Sequence, residues 1–553
     1  MRSRAARVSL QVIAALLSSA GIVLPAAATV FQAPGWPTTF ECDIGEDYEL
    51  SYDDAGTSRT VTIRAVALRH QHQPDYYSDL NDDSRRAIAA AEADLLVDGE
   101  PYTVVLRPYQ SPQRCGPVQI YLETTREWAT TGQDEIGRVR HDLRLSACAA
   151  AATWGPVGLR FPIGDYRWHA NSYQNTWMSM VPQGKDVYYH KGEDWGCVPD
   201  RHPVIASLAG TVVRSPLPDG DGRSNTLTVE SPAGIRINYT HMNTEQIDPA
   251  LTVGAAVAVG QRLGLTGATW SGKPTQSNPH LHYKYSCRYD GGWTELSTYP
   301  AAMAAYLRDY DDPAVAIAGG YHFGIAGEAI TLDGSRSRLR PGRSVSRWRW
   351  YHGDGSYEDG KVIDTVFQEP GTYGMVLELL LDDGTRFCDA AVVRVYDGDG
   401  GSQDGFSAWL SHVPMRSIDP DEEILCRLVK WSMPRTRVDW GDGSPTEKRS
   451  STMRHRYASR GWQRCWLRSD DGRYTLAMPI LIGDFADTAV GDPPRITAGP
   501  QAEPSPVTGS SSVLSVTVAD DGPPDELVYD WSVVGPAPAD IAPQGSSTPS
   551  MVA

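Results

Sequence analysis

Three short histidine-bearing segments follow one another between His190 and His282: His190-Lys-Gly-Glu-Asp194, Tyr239-Thr-His241 and His280-Leu-His282. Imidazole and carboxylate are the donors a catalytic zinc ion takes, about three at a time, with one position kept for a water whose pKa it lowers toward neutrality. The segments supply enough ligands for one such ion and leave histidines over for proton transfer. In an extended strand, side chains two apart share a face, so His280 and His282 can enter one cleft while Leu281 turns to the core. His190 and Asp194 are four apart with Gly192 between them. That spacing suits one helical face, or a strand end where glycine lets the backbone come close. The flanks, Val187-Tyr-Tyr before and Pro203-Val-Ile-Ala after, favour strands. A His-Glu-x-x-His helix is absent from the sequence, so a glutamate base is not implied. Glu193, next to a ligand on an extended segment, is expected to face away from the metal as a solvated acid.

With those motifs in that order, residues 156–308 resemble the lysostaphin-like (LytM-type) zinc endopeptidases, which cut peptide cross-links in bacterial cell walls. Two supporting turns add to the likeness, Pro203-Val-Ile-Ala-Ser-Leu-Ala-Gly-Thr-Val-Val and Gly260-Gln-Arg-Leu-Gly-Leu-Thr-Gly. The resemblance implies an antiparallel β-domain with one zinc held by His190, Asp194 and His282. His241 and His280 would then be the catalytic pair, and peptidoglycan cross-link peptides the substrate. Phe161-Pro-Ile-Gly-Asp-Tyr-Arg167 departs from the family's usual turn before the first motif and is followed by a long segment, 171–185, read here as a candidate lid over the cleft. Two other functions fit the same residues: a catalytically silent wall-binding or regulatory protein that retains the fold, and an extracellular protease acting on glycine-rich proteins. His70, His72, His141, His169, His202, His322, His352, His412 and His455 have no ligand-like spacing and read as ordinary hydrogen-bonded or surface residues.

The remaining sequence says where such a site would work. Arg2, Arg4 and Arg7 precede an apolar run from Val8 to Leu24 and then Pro25-Ala-Ala-Ala28, the pattern of a secretory signal spanning residues 1–28. Later stretches lack about 18 uninterrupted apolar residues, so an exported chain without an integral membrane segment is expected. The formal charge of −18 becomes −21 without that leader, which holds three arginines and no acid. Nucleic-acid binding, which needs clustered positive charge, is disfavoured. Eight cysteines in an exported chain predict disulfides. Cys426 with Cys465 would bridge two strands of one module, and Cys197 with Cys287 are each close in sequence to a ligand, where a disulfide is favoured over metal ligation.

Alternating apolar and polar runs such as Thr60-Val-Thr-Ile-Arg-Ala-Val make residues 29–155 a β-rich domain without evident chemistry. Its one helix is expected at Ser84 to Leu96, an alanine-rich run that Asp83 or Ser84 could cap. A second helix is expected near Pro300 to Arg308. Beyond it, Trp350-Tyr-His-Gly-Asp-Gly-Ser356 and Trp440-Gly-Asp-Gly-Ser444 place Asp354 and Asp442 88 residues apart, each ahead of a tyrosine-glycine segment. This resembles two polycystic kidney disease (PKD) repeats, immunoglobulin-like sandwiches, at 312–398 and 405–485, which would tether the enzyme to a surface polymer or protein. In a Gly-Asp-Gly turn glycine accepts positive φ and the aspartate binds nearby amides. Residues 490–553 begin a third module with too few strands to bury both faces. The fold class expected is therefore mainly β: an antiparallel zinc-peptidase domain between an N-terminal β-rich domain and C-terminal sandwich repeats.

Overall fold

The structure is a computed structural model that describes residues 30–552 except 34, 74–86, 131–138, 169–173, 184–185, 276–278, 290, 398–408, 412–414, 430–434, 446, 449–451, 490–494, 504–510, 520–528, 530, 532–539 and 543–549. It is built almost wholly of antiparallel sheet. The leader expected at 1–28 lies outside the described residues. Among those described, no helix is long and apolar enough to cross a membrane.

The segment that carries the three histidine motifs is organised by one sheet. Its strands run Gln174–Asn175, Glu193–Gly196, His280–Tyr289, Ile235–Thr240, Leu227–Glu230, Gly210–Arg214 and Ala256–Val257 in spatial order, and Gly292–Leu296 pairs with His280–Tyr289. Period-two alternation sets the faces: Leu281, Tyr283 and Tyr285 are wholly buried on one side, which leaves His280, His282 and Lys284 on the other. The helix expected near residue 300 is present as Tyr299–Asp309, buried along Tyr299, Ala302, Met303 and Tyr306.

Upstream, two sheets form the N-terminal domain, Asp47–Asp54, Thr57–Gln73, Ala87–Val97 and Glu100–Leu106 in one, with Thr38–Cys42, Leu143–Ala149 and Val118–Thr125 in the other. The helix expected at 84–96 is not formed: residues 87–97 are a strand, and 84–86 lie outside the described residues. Alanine favours a helix, but pairing with strands on both sides satisfies this segment's amides, and Ala91, Ala93, Leu95 and Val97 alternate inward against outward Glu92. This domain is not separate from the catalytic one, because a single apolar cluster runs from Phe31 through Trp128 and Trp195 to Ile317. Trp177 Nε1 donates to Glu123 O across that boundary at 3.0 Å, and Ser297 N to Glu123 Oε2 at 2.8 Å.

Both sandwich repeats are present. The first buries Trp350 and the second Trp440. In each Gly-Asp-Gly turn the aspartate accepts from a serine amide, Asp354 from Ser356 at 2.9 Å and Asp442 from Ser444 at 3.0 Å. The second repeat packs on the first, where Thr372 N donates to Arg473 O at 3.0 Å and Val376, Cys388, Trp466 and Ala477 share a core. It also folds back on the catalytic domain. There buried Arg167 donates to Met415 O at 2.9 Å and Gly483 O at 3.2 Å with its guanidinium over the Phe485 ring, and Arg416 pairs with Asp312. Four strands between Arg495 and Val552 form one further sheet.

No disulfide joins any of the eight cysteines. Cys426 and Cys465 do lie on facing sheets of one core, as unbonded thiols. The expected proximity of Cys197 and Cys287 fails for a topological reason: antiparallel pairing sets Cys197 beside Pro279 at one end of the His280–Tyr289 strand, and Cys287 stands eight residues further along. At about 3.4 Å per residue that is roughly 27 Å of strand.

Candidate metal centre

The two outer motifs meet because their strands are adjacent. Asp194 sits directly opposite His282, and Thr240 opposite His282 on its other side, so one cross-strand row carries candidate ligands from both motifs. His190 precedes the strand and reaches the row through the turn at Gly192. That glycine has φ +120°, and a Cβ there would stand 2.5 Å from Tyr283 O, so only glycine brings the two ligands of the first motif onto the same row.

His190 Nε2, Asp194 Oδ1 and His282 Nδ1 form a triangle with edges of 3.1, 2.7 and 3.1 Å. Tetrahedral bonds of about 2.0–2.1 Å to zinc place donor atoms roughly 3.3 Å apart, so the triangle is close to the size such an ion requires. It is the one group of three or more potential ligands found among the described residues. The chemistry of the donors fits as well. His190 Nδ1 donates to Gly192 O at 3.0 Å, which leaves its Nε2 lone pair toward the triangle. Asn175 Nδ2 donates to Asp194 Oδ2 at 2.8 Å, which leaves Oδ1 free to ligate. Burial works against the Asp194 charge, but the His190 and His280 imidazoles outweigh it and hold the carboxyl well below its usual range. For His282, burial outweighs the pull of Asp194 and draws the imidazole down to about 4, in the neutral form a metal needs.

His280 and His241 border the same groove. His280 Nε2 lies 3.3 Å from Asp194 Oδ1, and the rings of His241 and His280 are 4.5 Å apart. His241 ends its strand in the left-handed region at φ +74°, unusual for a side chain of its size and a form of strain that concentrates at functional sites. Its Nδ1 donates to Thr269 O at 2.9 Å, so Nε2 is left for the groove. Burial and the neighbouring His280 keep the ring well below the usual histidine range. All five residues singled out by sequence, His190, Asp194, His241, His280 and His282, thus line one groove of about 510 Å³.

Several expectations need correction here. Glu193 faces away from the triangle but is not solvated: it is 1% exposed, accepts from Thr176 Oγ1 at 3.1 Å and Trp177 N at 3.3 Å, and burial pushes its carboxyl well above the usual range. Thr176 and Trp177 cover it on the strand face opposite the groove, and Trp177 is tied in turn to Glu123 of the N-terminal domain. Nor are the described residues of 171–185 a lid. Gln174–Asn175 and Met180–Gln183 pair beneath the ligands, and Asn175, Trp177 and Met178 are buried. Asn175 was missed, although the apolar Trp177-Met-Ser-Met-Val181 beside it is a poor composition for a mobile cover. Trp270 was missed too. It stacks on His241 with ring centres 4.2 Å apart. Neither Cys197 nor Cys287 joins the ligand group, and burial pushes both thiols up to about 12. Several other histidines find ordinary partners, as His141 does with Asp43, His352 with Glu358 and His455 with Asp442, whereas the Nε2 of buried His202 meets none among the described residues. His169 and His412 lie outside the described residues.

Residues 188–292, which hold all five of these side chains, match the model of Peptidase family M23. This segment is an M23 peptidase domain. Residues 310–395 match the model of the PKD domain, so the first sandwich after the M23 domain is a PKD repeat. A comparison with curated proteins finds no match. Among solved structures, a LytM protein from Ruminococcus gnavus ATCC 29149 is 20% identical, covering 27% of this chain and 61% of its own, with a TM-score of 0.21. The chain thus spans about three fifths of that protein's length. A zinc-containing peptidase from Vibrio cholerae is 15% identical over 49% of this chain and 86% of its own, with a TM-score of 0.19. Fibronectin(III)-like modules of Clostridium thermocellum CbhA are 14% identical over 31% of this chain and 95% of theirs, with a TM-score of 0.13. The match over 188–292 supports a metallopeptidase domain, and the His-Asp-His group fits the zinc on which M23 peptidases depend.

Proposed function

We propose that this chain is an exported zinc endopeptidase that hydrolyses peptide cross-links of bacterial cell-wall peptidoglycan. The observation that carries the proposal is the strand register, which sets Asp194 against His282 and leaves two further histidines beside that pair in one groove. His190, Asp194 and His282 are the proposed ligands, and a zinc ion bound there supplies a Lewis acid and an acidified water. His241, neutral and tied through Nδ1 to Thr269 O, is the proposed base, accepting a proton at Nε2. His280, held among Asp194, His241 and Trp270, is the proposed donor of a hydrogen bond to the oxygen on which charge develops. The proposed place of action outside the cytoplasm rests on the leader at 1–28, and the sandwiches are proposed to hold the peptidase against a surface polymer or protein.

The test is mass analysis of fragments released from purified peptidoglycan by residues 29–553, with and without a chelator. Chelator-sensitive release of cross-link fragments is expected. Retained zinc with no released fragment would overturn the proposal. His190→Ala and Asp194→Ala are expected to lose zinc and activity together, and His280→Ala to keep zinc and lose most turnover; equal zinc loss in all three would overturn the assignment of roles.

A further inference from the structure

The groove is far more basic than the chain that carries it. Against a net charge of −18 for the whole sequence, Lys191, Arg214, Arg223 and Lys284 line this one depression, and Asp194 is the only acidic wall residue among those described. Their placement follows from register. One row across the sheet carries Asp194, His282 and Thr240. Two residues along, Lys284 faces Asn238, Asn238 faces Thr228 and Thr228 faces Arg214, so a second row on the same face ends in a cation on each side. The rows are roughly 7 Å apart, about the span of two residues of extended peptide. Above the His241 side stands Arg223. Its carbonyl accepts from Gly272 N at 2.6 Å, and the carbonyl of the next residue, Ser224, accepts from His241 N at 2.7 Å. Arg214 has an acidic neighbour in Asp221 at 2.7 Å, and Lys284 has one in Glu295. Arg223 makes no ion pair among the described residues, and its side chain is exposed.

A run of glycines carries no charge for these groups to meet, and bringing neutral peptide over exposed cations strips their water without return. A carboxylate within two residues of the cleaved bond would lie within reach of Lys284, Arg214 or Arg223 and replace that water with charge-assisted hydrogen bonds. On the peptidase reading above, on which this rests, we infer that the groove selects a peptide bearing carboxylates close to the scissile bond, and that Lys284, Arg214 and Arg223 read them. Their role is in specificity, since none belongs to the ligand triangle or to the histidine pair.

The experiment compares cleavage by zinc-loaded residues 29–553 of three probes: cross-linked peptide dimers released from peptidoglycan, the same dimers after carbodiimide amidation of their carboxylates, and hexaglycine. The native dimers are expected to be cut with a kcat/KM about tenfold or more above that of the amidated dimers, because two charge-assisted contacts are lost. In the double variant Lys284→Gln with Arg223→Gln that ratio is expected to fall toward one, with one equivalent of zinc retained as evidence of an intact site. Equal or faster cleavage of amidated dimers or hexaglycine overturns the inference and leaves the peptidase reading standing. An unchanged ratio in the double variant also overturns it. Failure to cut any probe with zinc bound refutes the peptidase reading itself.

Discussion

Replacing Asn175 by leucine should weaken zinc binding while sparing the fold. The Asn175 amide donates 2.8 Å to Asp194 Oδ2, and both residues are 2% exposed, so the bond is dry and ends on an ionised acceptor. Such bonds contribute about 1.5–3 kcal/mol, which corresponds to roughly 10- to 150-fold in a binding constant. Losses of about 10- to 100-fold are typical when a group orienting a metal ligand is removed. The fold should suffer less. Asn175 Oδ1 meets no donor among the described residues, so leucine of similar size removes an unsatisfied buried oxygen along with the useful amide. Zinc affinity, measured by competition with a chelator of known strength, should therefore fall about 10- to 100-fold while the urea midpoint moves little. Affinity within about twofold of the parent, or zinc loss that merely tracks loss of fold, would refute the argument that this amide fixes the ligating oxygen.

Three further outcomes are expected. Gly192→Ala places a Cβ 2.5 Å from Tyr283 O and 2.9 Å from Lys284 Cβ on a backbone at φ +120°, so it should displace His190 from the row and lower activity about 100-fold or more; steady-state kinetics with zinc analysis would show it. The acidic limb of the pH–rate profile should lie below that of free imidazole: burial draws His282 from 6.5 to about 4 and holds His241 well below the usual histidine range, so their working neutral forms persist as pH falls through 6, and half-loss at or above pH 6.5 would contradict this. Arg167→Ala leaves the Met415 and Gly483 carbonyls without their donor and uncovers Phe485, which should cost about 2–3 kcal/mol and split thermal unfolding into more than one calorimetric transition.

What the sequence revealed and what it hid divide along a physical line. The gathering of His190, Asp194 and His282 was legible because its spacing is local: a two-residue period puts His280 and His282 on one face, and the glycine between His190 and Asp194 marks a close approach. The sandwiches were legible through their Gly-Asp-Gly turns, whose hydrogen bonds span two residues. Features decided by distant neighbours were not. Residues 87–97 have helical composition but take the strand state that their two flanking strands impose. Glu193 looks like an ordinary surface acid until Thr176 and Trp177 cover it. Asn175 has no motif at all, since its meaning comes from pairing with a strand 19 residues later. Cys197 and Cys287 each follow a ligand closely, yet one antiparallel strand carries them to opposite ends.

On the function proposed above, the way Arg167, Arg416 and the shared core around Trp177 clasp the modules together bears on how the enzyme would work on an insoluble polymer. A catalytic head on a loose leash sweeps a volume set by the leash, whereas a head gripped from both sides moves only as its whole body moves. Each landing would then offer the groove a single fixed approach, and progress along the wall would depend on the entire particle letting go and settling again.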